Sequence, residues 1–230
     1  MPFFYGYDPT FVILIPALIL ALYAQARVQS TFERYSRVAA SSGLTGAQVA
    51  RRILGGAGLD DVAVERVPGR LTDHYDPRGR VLRLSAPVHD SPSLSALGVA
   101  AHEAGHAIQH GIGFLPLRIR NQIVPVANLG SQGGPILFLL GLFLGSPFLQ
   151  DLGIYFFGAA VAFYLITLPV EYNASGRALA LLEGGGYLTR QEVVHARRVL
   201  DAAALTYVAA ALMAVLQLAR LLLLRSQREE

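Results

Sequence analysis

Four long apolar runs constrain the fold of this chain more than any other feature of its sequence. They cover residues 9–26, 122–145, 152–170 and 202–224. A helix of about 17 to 20 apolar residues is long enough to cross the hydrocarbon core of a bilayer. Hydrophobic residues make up 53% of the 230 residues and charged residues only 15%, which is typical of a multi-pass membrane protein. We therefore expect four transmembrane helices. The first is interpreted as a retained anchor, because no basic residue precedes it as in a signal peptide.

The arginines predict how these helices are oriented. All 19 basic residues are arginines, and 16 of them lie in 27–121 and 171–201. The positive-inside rule places both segments in the cytoplasm. The loop 146–151 has no arginine, as an external loop should, whereas the three arginines after residue 219 fit less well. The last run therefore either spans or lies partly along the interface. The arginines are not interleaved with aromatic residues, so nucleic-acid binding is not expected.

The region between the first two apolar runs has the pattern of a small folded domain. A polar helix is predicted over 27–41, and Thr45 with Gln48 forms a capping-box pattern before a second helix that ends at Gly55 and Gly56. Three β-rich segments follow, at 62–67, 69–75 and 80–85. The turn sequence "DPRG" separates the last two and predicts a β-hairpin. Ser91 and Pro92 are then expected to begin a helix that extends to about residue 110.

That helix contains "AAHEAGHAIQHG", residues 100–111. Positions i and i+4 lie on one helical face, so His102 and His106 can bind one metal ion. Glu103 can reach a metal-bound water without being a ligand. This H-E-x-x-H pattern predicts two ligands of one zinc ion and a catalytic base. The chain has no cysteine, so thiolate ligands are excluded. Gly105 would let another backbone approach closely. The alternative is that the histidines bond to backbone carbonyls within a helix bundle.

His110 lies on the same face but is not expected to be a ligand. It is eight residues beyond His102, hence about 12 Å along the helix axis, which is too far for one ion. We expect it to cap the helix or support the site. The third ligand must therefore come from elsewhere in the chain, and four residues remain as candidates: His74, His89, His195 and Glu171.

Glu171 is the most informative of these candidates. It follows a long apolar segment, where a carboxylate is costly unless it is paired or bound to a metal. The residues themselves leave two interpretations open, an interfacial glutamate neutralised by Arg177 or a third metal ligand. The upstream H-E-x-x-H pattern favours the ligand.

Three separated stretches carry a resemblance to a known family. They are "LTDHYDPRGRVLRLS" (71–85), "VAAHEAGHAIQH" (99–110) and "LPVEYNASGRAL" (168–179). In this order they resemble the YugP-like family of bacterial membrane zinc metallopeptidases. The resemblance implies a zinc endopeptidase of the bacterial cytoplasmic membrane, with Glu103 as the catalytic residue and His102, His106 and Glu171 as the ligands of one Zn²⁺.

The chain is also distantly similar to membrane gluzincins of the HtpX and CAAX-protease type. In those proteins an aspartate follows the ligand glutamate by four residues. Here that position is Ser175, with Asn173 between, so the residue that orients the histidines stays open.

These observations together predict a mainly α, integral membrane fold with a zincin-like α+β region. The expected organisation is an N-terminal anchor (1–26), a cytoplasmic zincin-like region (27–121), a transmembrane hairpin (122–170), a segment with the third ligand and a cytoplasmic helix (171–201), and a C-terminal transmembrane helix with a tail (202–230).

The expected reaction is hydrolysis of a peptide bond by a zinc-activated water, with Glu103 taking the proton. The substrate is expected to be a protein or peptide, including misfolded or membrane proteins. If the edge of strand 80–85 faces the metal, an extended substrate is further expected to pair with that edge. Candidates for supporting the ligands or stabilising the oxyanion are Asn173, Ser175, Arg177, His74 and His195.

Two alternatives lack peptide hydrolysis. One is a zinc-binding membrane scaffold, which would not need the base Glu103. The other is a transporter-like bundle that uses Asn128, Gln132 and Glu171 as intramembrane polar groups. Four spanning segments are few for a transporter, and the H-E-x-x-H region is not explained by it.

Overall fold

The computed structural model describes residues 9–227, so the first eight residues of the predicted anchor and the last three residues of the tail lie outside the described part. The fold is mainly α-helical with one small sheet, as predicted. A 3₁₀ segment, Pro9–Leu14, leads into the first helix. The other elements are α1 (Ile15–Ser36), α2 (Gly46–Gly56), β1 (Ala63–Val67), β2 (His74–Asp76), β3 (Val81–Ser85), α3 (Ala86–His89), α4 (Leu94–Gly111), α5 (Leu115–Phe143), α6 (Pro147–Gly184) and α7 (Arg190–Ser226).

Four of these helices are long and apolar enough to cross a membrane, which confirms the predicted number. They are Pro9–Ser36, Leu115–Phe143, Pro147–Gly184 and Arg190–Ser226. Three of them extend well beyond their apolar runs. The 38 residues of α6 are about 57 Å long at 1.5 Å per residue, nearly twice the hydrocarbon core of about 30 Å. Part of α6 must therefore lie outside the core, together with the residues that follow its apolar run.

The chain divides into two compact units. The first comprises Met1–Tyr23, Ile119–Thr167 and Thr206–Glu230. Within it, α5 and α6 pack closely at glycines. A Cβ on Gly130 would overlap the Phe156 carbonyl oxygen, and one on Gly153 would lie 2.6 Å from the Gly134 carbonyl oxygen. Small residues let helix backbones approach where no side chain intervenes. The interrupted second apolar run is thus a packing surface, and α5 continues through Pro125 and Pro135.

Two polar contacts show which helix ends lie close together in this first unit. Arg225, at the end of α7, donates to Asp151, at the start of α6, over 2.9 Å. Arg220 donates to Thr10, in the segment before α1, over 3.0 Å. The C-terminal end of α7 therefore lies at the same end of the unit as the start of α1 and the loop between α5 and α6. The four apolar helices alternate in direction, as four spanning segments require.

The second unit comprises Ala24–Arg118 and Leu168–Leu205. Its three-stranded sheet has the order β1-β3-β2, with β1 parallel and β2 antiparallel to β3. The hairpin predicted around "DPRG" is confirmed, with Tyr75 opposite Leu82. Because β3 is the central strand, both of its edges are already paired. The prediction that a substrate pairs with strand 80–85 is therefore wrong.

Local predictions in this unit were confirmed in type but not always in bounds. The capping box forms, since Gln48 N donates to Thr45 Oγ1 over 3.3 Å and Thr45 N donates to Gln48 Oε1 over 2.9 Å. The strand predicted at 69–75 is shortened to β2, because Gly69 and Leu71 have φ angles of 101° and 56° that no strand accommodates. The N-cap of α4 is Ser93, not Ser91. The predicted five-segment division stays a prediction.

Candidate metal centre

Helix α4 presents two histidines one turn apart. The rings of His102 and His106 lie edge to face, with centroids 4.7 Å apart and planes at 85°. Both side chains are mostly buried. The i, i+4 spacing makes this arrangement a local property of the helix. The two Nε2 atoms point toward a common partner on α6.

That partner is Glu171, a buried residue of α6. Its Oε2 lies 3.3 Å from His102 Nε2 and 3.6 Å from His106 Nε2. The close approach of the two helices is made at Gly105, where a Cβ would lie 2.9 Å from the Ala174 carbonyl oxygen. The predicted close approach of another backbone at Gly105 is confirmed.

The three side chains fit a zinc ion. Among the residues that the structure describes, His102, His106 and Glu171 form the one group of histidine and acidic side chains that could hold a metal, with ligand atoms all within 4.8 Å of one another. Nitrogen and oxygen ligands at tetrahedral angles around zinc lie about 3.3 to 3.5 Å apart, close to the 3.3 and 3.6 Å measured here. A buried carboxylate that faces only two imidazoles also favours a cation between them.

Each histidine is held through its other ring nitrogen. His102 Nδ1 lies 3.1 Å from Ser175 Oγ, and His106 Nδ1 lies 3.0 Å from Gln109 Oε1. When Nε2 binds a metal, Nδ1 carries the proton and donates it to these oxygens. Ser175, four residues after Glu171, is therefore the α6 residue that orients His102.

Gln109 is a site residue that sequence reasoning missed. It is fully buried, and its amide donates to the Val170 carbonyl over 2.9 Å and to Asn173 Oδ1 over 3.0 Å. Asn173 Oδ1 also accepts from Arg177 Nε over 2.8 Å. The sequence offered one signal, because a residue three positions after His106 lies on the same helical face. Asn173 and Arg177 therefore support His106 through Gln109.

Glu103 is buried next to the group of ligands along α4. Its Oε2 accepts a hydrogen bond from the Tyr75 N–H over 3.1 Å, so strand β2 holds this carboxylate. The Tyr75 hydroxyl lies 2.9 Å from His110 Nδ1. His110 therefore bonds to the residue that positions Glu103 and does not belong to the metal group.

A second acidic residue near Glu103 was also missed. Burial raises the pKa of the Asp73 carboxyl, the charge of Glu103 adds to this effect, and hydrogen bonds from Ser85 oppose it. Ser85 donates to Asp73 from both its N–H, over 2.7 Å, and its hydroxyl, over 3.0 Å. These bonds attach the start of β2 to the end of β3. Asp73 thereby supports the strand that carries Tyr75.

The remaining predicted histidines have other neighbours. His74 Nδ1 donates to the Thr72 carbonyl over 2.9 Å on the exposed side of the hairpin. His195 stacks on Tyr35 with ring centroids 5.1 Å apart. His89 lies 2.7 Å from Asp90. None of the three belongs to the metal group within residues 9–227. A role for His74, Arg177 or His195 in stabilising an oxyanion stays a prediction.

Two histidines and a glutamate converge beside a second glutamate, in a chain with four helices that could cross a membrane. This combination places the protein in the class of membrane proteins with a metallopeptidase-type centre. The family model described as "Putative neutral zinc metallopeptidase" matches residues 10–226. The chain belongs to this family, which implies zinc as its metal.

The chain is also similar to a named relative. It is 53% identical over 210 residues to "Putative membrane protease YugP" of Bacillus subtilis (strain 168), which covers 91% of this chain and 93% of the relative. No solved structure gives a significant match to this chain. The resemblance found in the sequence is confirmed.

Proposed function

We infer that the chain is a membrane-embedded, zinc-dependent endopeptidase of the gluzincin type. The observation that carries this proposal is the convergence of His102, His106 and Glu171, with Glu103 held beside them by strand β2. Two imidazoles and one carboxylate leave one position of a tetrahedral site open, as in catalytic rather than structural zinc sites.

Hydrogen bonds within the chain orient the two histidine ligands for metal binding. Ser175 and Gln109 accept from the Nδ1–H groups, which leaves both Nε2 lone pairs directed at the site. A bound zinc ion would supply Lewis acidity toward the scissile carbonyl and increase the acidity of the attacking water.

Glu103 carries the proton transfers in this proposal. Its carboxylate accepts a proton from the attacking water and returns it to the departing amine, so that the peptide bond is hydrolysed with no net gain or loss of protons. The Tyr75 N–H holds one carboxylate oxygen, which leaves the other free to accept the proton. General acid–base catalysis of this kind contributes about 10²- to 10⁴-fold in rate.

The substrate class that we propose is protein or peptide, including membrane or misfolded proteins. It is supported by the relative, whose name describes a membrane protease. A zinc-binding scaffold is the rival function. A scaffold would not need a carboxylate that is buried beside the ligands and held by a backbone N–H. The position of Glu103 therefore favours the peptidase.

One comparison tests the proposal. The full-length protein and its Glu103→Gln variant are assayed for zinc content and for cleavage of unfolded casein. Glu183→Gln, an exposed carboxylate of α6 paired with Arg190, is the matched control. We expect one zinc per chain in all three proteins, with cleavage lowered about 10²- to 10⁴-fold only in Glu103→Gln.

Two outcomes would contradict parts of the proposal. Hydrolysis that survives in Glu103→Gln would exclude Glu103 as the base. Zinc retained without hydrolysis in the unaltered protein, over a panel of unfolded soluble and membrane substrates, would favour the scaffold.

A further inference from the structure

A polar groove lies on the second unit, against the polar half of α1. It has a volume of about 410 Å³ and is lined by Arg27, Ser30, Thr31, Arg34, Tyr35 and Arg198. The first four of these residues follow the spacing i, i+3, i+4 and i+7, so they share one face of α1. The groove does not involve the metal ligands.

The groove carries three positive charges, those of Arg27, Arg34 and Arg198. Among the residues that the structure describes, no carboxylate forms an ion pair within 4.0 Å of Arg27, Arg34 or Arg198. By contrast, Arg37, which directly follows α1, is paired with Glu33 over 2.7 Å. Uncompensated guanidinium groups in a concave surface favour an anionic ligand.

Two of the three arginines are held by one buried aromatic residue. Arg198 Nη1 donates to the Tyr35 hydroxyl over 3.0 Å, and the Arg34 guanidinium lies 5.6 Å from the centroid of the Tyr35 ring. Tyr35 is buried and also stacks on His195. Arginines that are positioned in advance lose less side-chain entropy on binding.

The position of the groove along α1 indicates which kind of anion it meets. Arg27 comes four residues after Tyr23, and the exposed apolar residues Leu18, Ile19 and Leu22 precede them. In a spanning helix, tyrosines and arginines at the end of the apolar run lie at the level of the lipid headgroups. Guanidinium and hydroxyl donors match phosphate oxygens.

We propose that this groove binds the headgroup of an anionic phospholipid. The phosphate lies against Arg27, Arg34 and Arg198, with the hydroxyl of Thr31 as a further donor. The Ser30 hydroxyl also lines the groove but donates to the Arg27 carbonyl over 3.2 Å. The acyl chains are directed toward the apolar part of α1. Orientation by the positive-inside rule requires positive charge alone, whereas this site requires these three arginines in particular.

Native mass spectrometry of the full-length protein tests the site independently of zinc and of hydrolysis. Phosphatidylglycerol and phosphatidylcholine with identical acyl chains are titrated against the unaltered protein and a variant with Arg27→Gln, Arg34→Gln and Arg198→Gln. Each arginine near a headgroup is worth about fivefold in affinity. We expect the triple variant to bind phosphatidylglycerol at least about tenfold more weakly, with phosphatidylcholine binding unchanged.

Arg37→Gln is the matched control, because it removes one charge directly after the end of α1 and outside the groove. Its phosphatidylglycerol affinity should stay within about twofold of the unaltered protein. If the triple variant fails to fold, Arg27→Gln alone is tested, because the hydrogen bond and the cation–π contact of Tyr35 are made by Arg198 and Arg34. We expect about a fivefold loss of phosphatidylglycerol affinity.

Three outcomes would overturn the proposal. The triple variant, or Arg27→Gln if the triple variant does not fold, could still prefer phosphatidylglycerol over phosphatidylcholine as strongly as the unaltered protein does. Arg37→Gln could lose as much affinity as Arg27→Gln, which would mean that charge alone matters. Excess inorganic phosphate could displace phosphatidylglycerol from the groove, which would mean that the site takes a soluble anion.

Discussion

The two histidines of the candidate metal centre differ in what orients them. His102 is held by a hydroxyl on α6, and His106 by an amide on its own helix. The amide of Gln109 is in turn fixed by a carbonyl and by Asn173, so its oxygen is directed at His106. A buried glutamine with all of these bonds has one preferred orientation, and His106 is therefore positioned before a metal binds.

Replacing Gln109 should weaken metal binding without removing a ligand. Gln109→Leu keeps the side-chain volume roughly constant but leaves His106 Nδ1 without its acceptor. Loss of such a supporting bond lowers metal affinity by about 10- to 100-fold. Competition with a zinc chelator measures the effect. Gln150→Leu, another buried glutamine, lies in the other unit and should leave zinc affinity unchanged. Equal zinc affinities for Gln109→Leu and the unaltered protein would contradict this role.

Asp76 gives the hairpin a pH-dependent contribution to stability. A hydrogen bond from Arg83 and two from the N–H groups of Arg78 and Gly79 hold the pKa of Asp76 below its ordinary value of 3.8. A lowered pKa means that the folded state favours the charged carboxylate. The stabilisation is therefore present above pH 3.8 and is lost as the pH falls through the pKa of the folded state.

Asp76→Asn should consequently lower the unfolding temperature at pH 7, and the difference from the unaltered protein should shrink toward zero below pH 3.8. Thermal unfolding at a series of pH values measures this. Asp60→Asn serves as control, because Asp60 is exposed and forms no ion pair among the described residues. A difference that grows as the pH falls would refute the sign of the effect.

At the scale of elements, the distance between α4 and α6 decides whether the ligands meet. Gly105 lies between the two histidines in sequence, and Ala174 lies between Glu171 and Ser175. The contact of Gly105 with the Ala174 backbone therefore brings both the candidate ligand Glu171 and the hydroxyl of Ser175 to α4. Any side chain at position 105 separates the two helices at this point.

Gly105→Ala should therefore lower zinc affinity even though alanine is the better helix former. Its Cβ would lie 2.9 Å from a backbone oxygen, so the helices must move apart. Overpacking of this kind costs about 1 to 3 kcal/mol, against about 1 kcal/mol gained in helix propensity. We expect about a tenfold loss of zinc affinity by chelator competition. The control, Gly176→Ala, meets no atom within 4 Å and should keep its zinc.

At the scale of the whole molecule, the two described arginines that fit the orientation rule least both have polar partners. Arg220 and Arg225 lie at the end of the first unit that also contains the loop between α5 and α6. Arg225 is paired with Asp151, which reduces the charge that this end presents. Their presence is therefore compatible with an external location for that end.

Labelling of single cysteines tests the orientation, because the chain has no cysteine of its own. Leu144→Cys lies in the exposed loop between α5 and α6, and Arg78→Cys lies at the exposed hairpin turn. In intact bacterial cells, a membrane-impermeant maleimide should label Leu144→Cys at once and Arg78→Cys only after lysis. The reverse pattern would place the metal centre outside the cytoplasm.

The sequence by itself determined the features that depend on neighbours along the chain. The spacing of His102 and His106, the capping box at Thr45 and the hairpin turn are set by helical periodicity and local hydrogen bonds. The four apolar runs are likewise visible in the sequence, because about 20 consecutive apolar residues form a helix long enough to cross a bilayer.

The tertiary structure alone decided which distant groups meet. Glu171 lies 69 residues from His102 along the chain, and local periodicity cannot distinguish it from His74, His89 or His195 as the third partner. Close packing at Gly105 places Glu171 and Ser175 of α6 next to the two histidines. The role of Gln109 follows only from the structure, because the hydrogen-bond partners of its amide lie on α6. The central position of β3 was equally invisible in its sequence, because strand order depends on contacts between strands that are far apart in the chain.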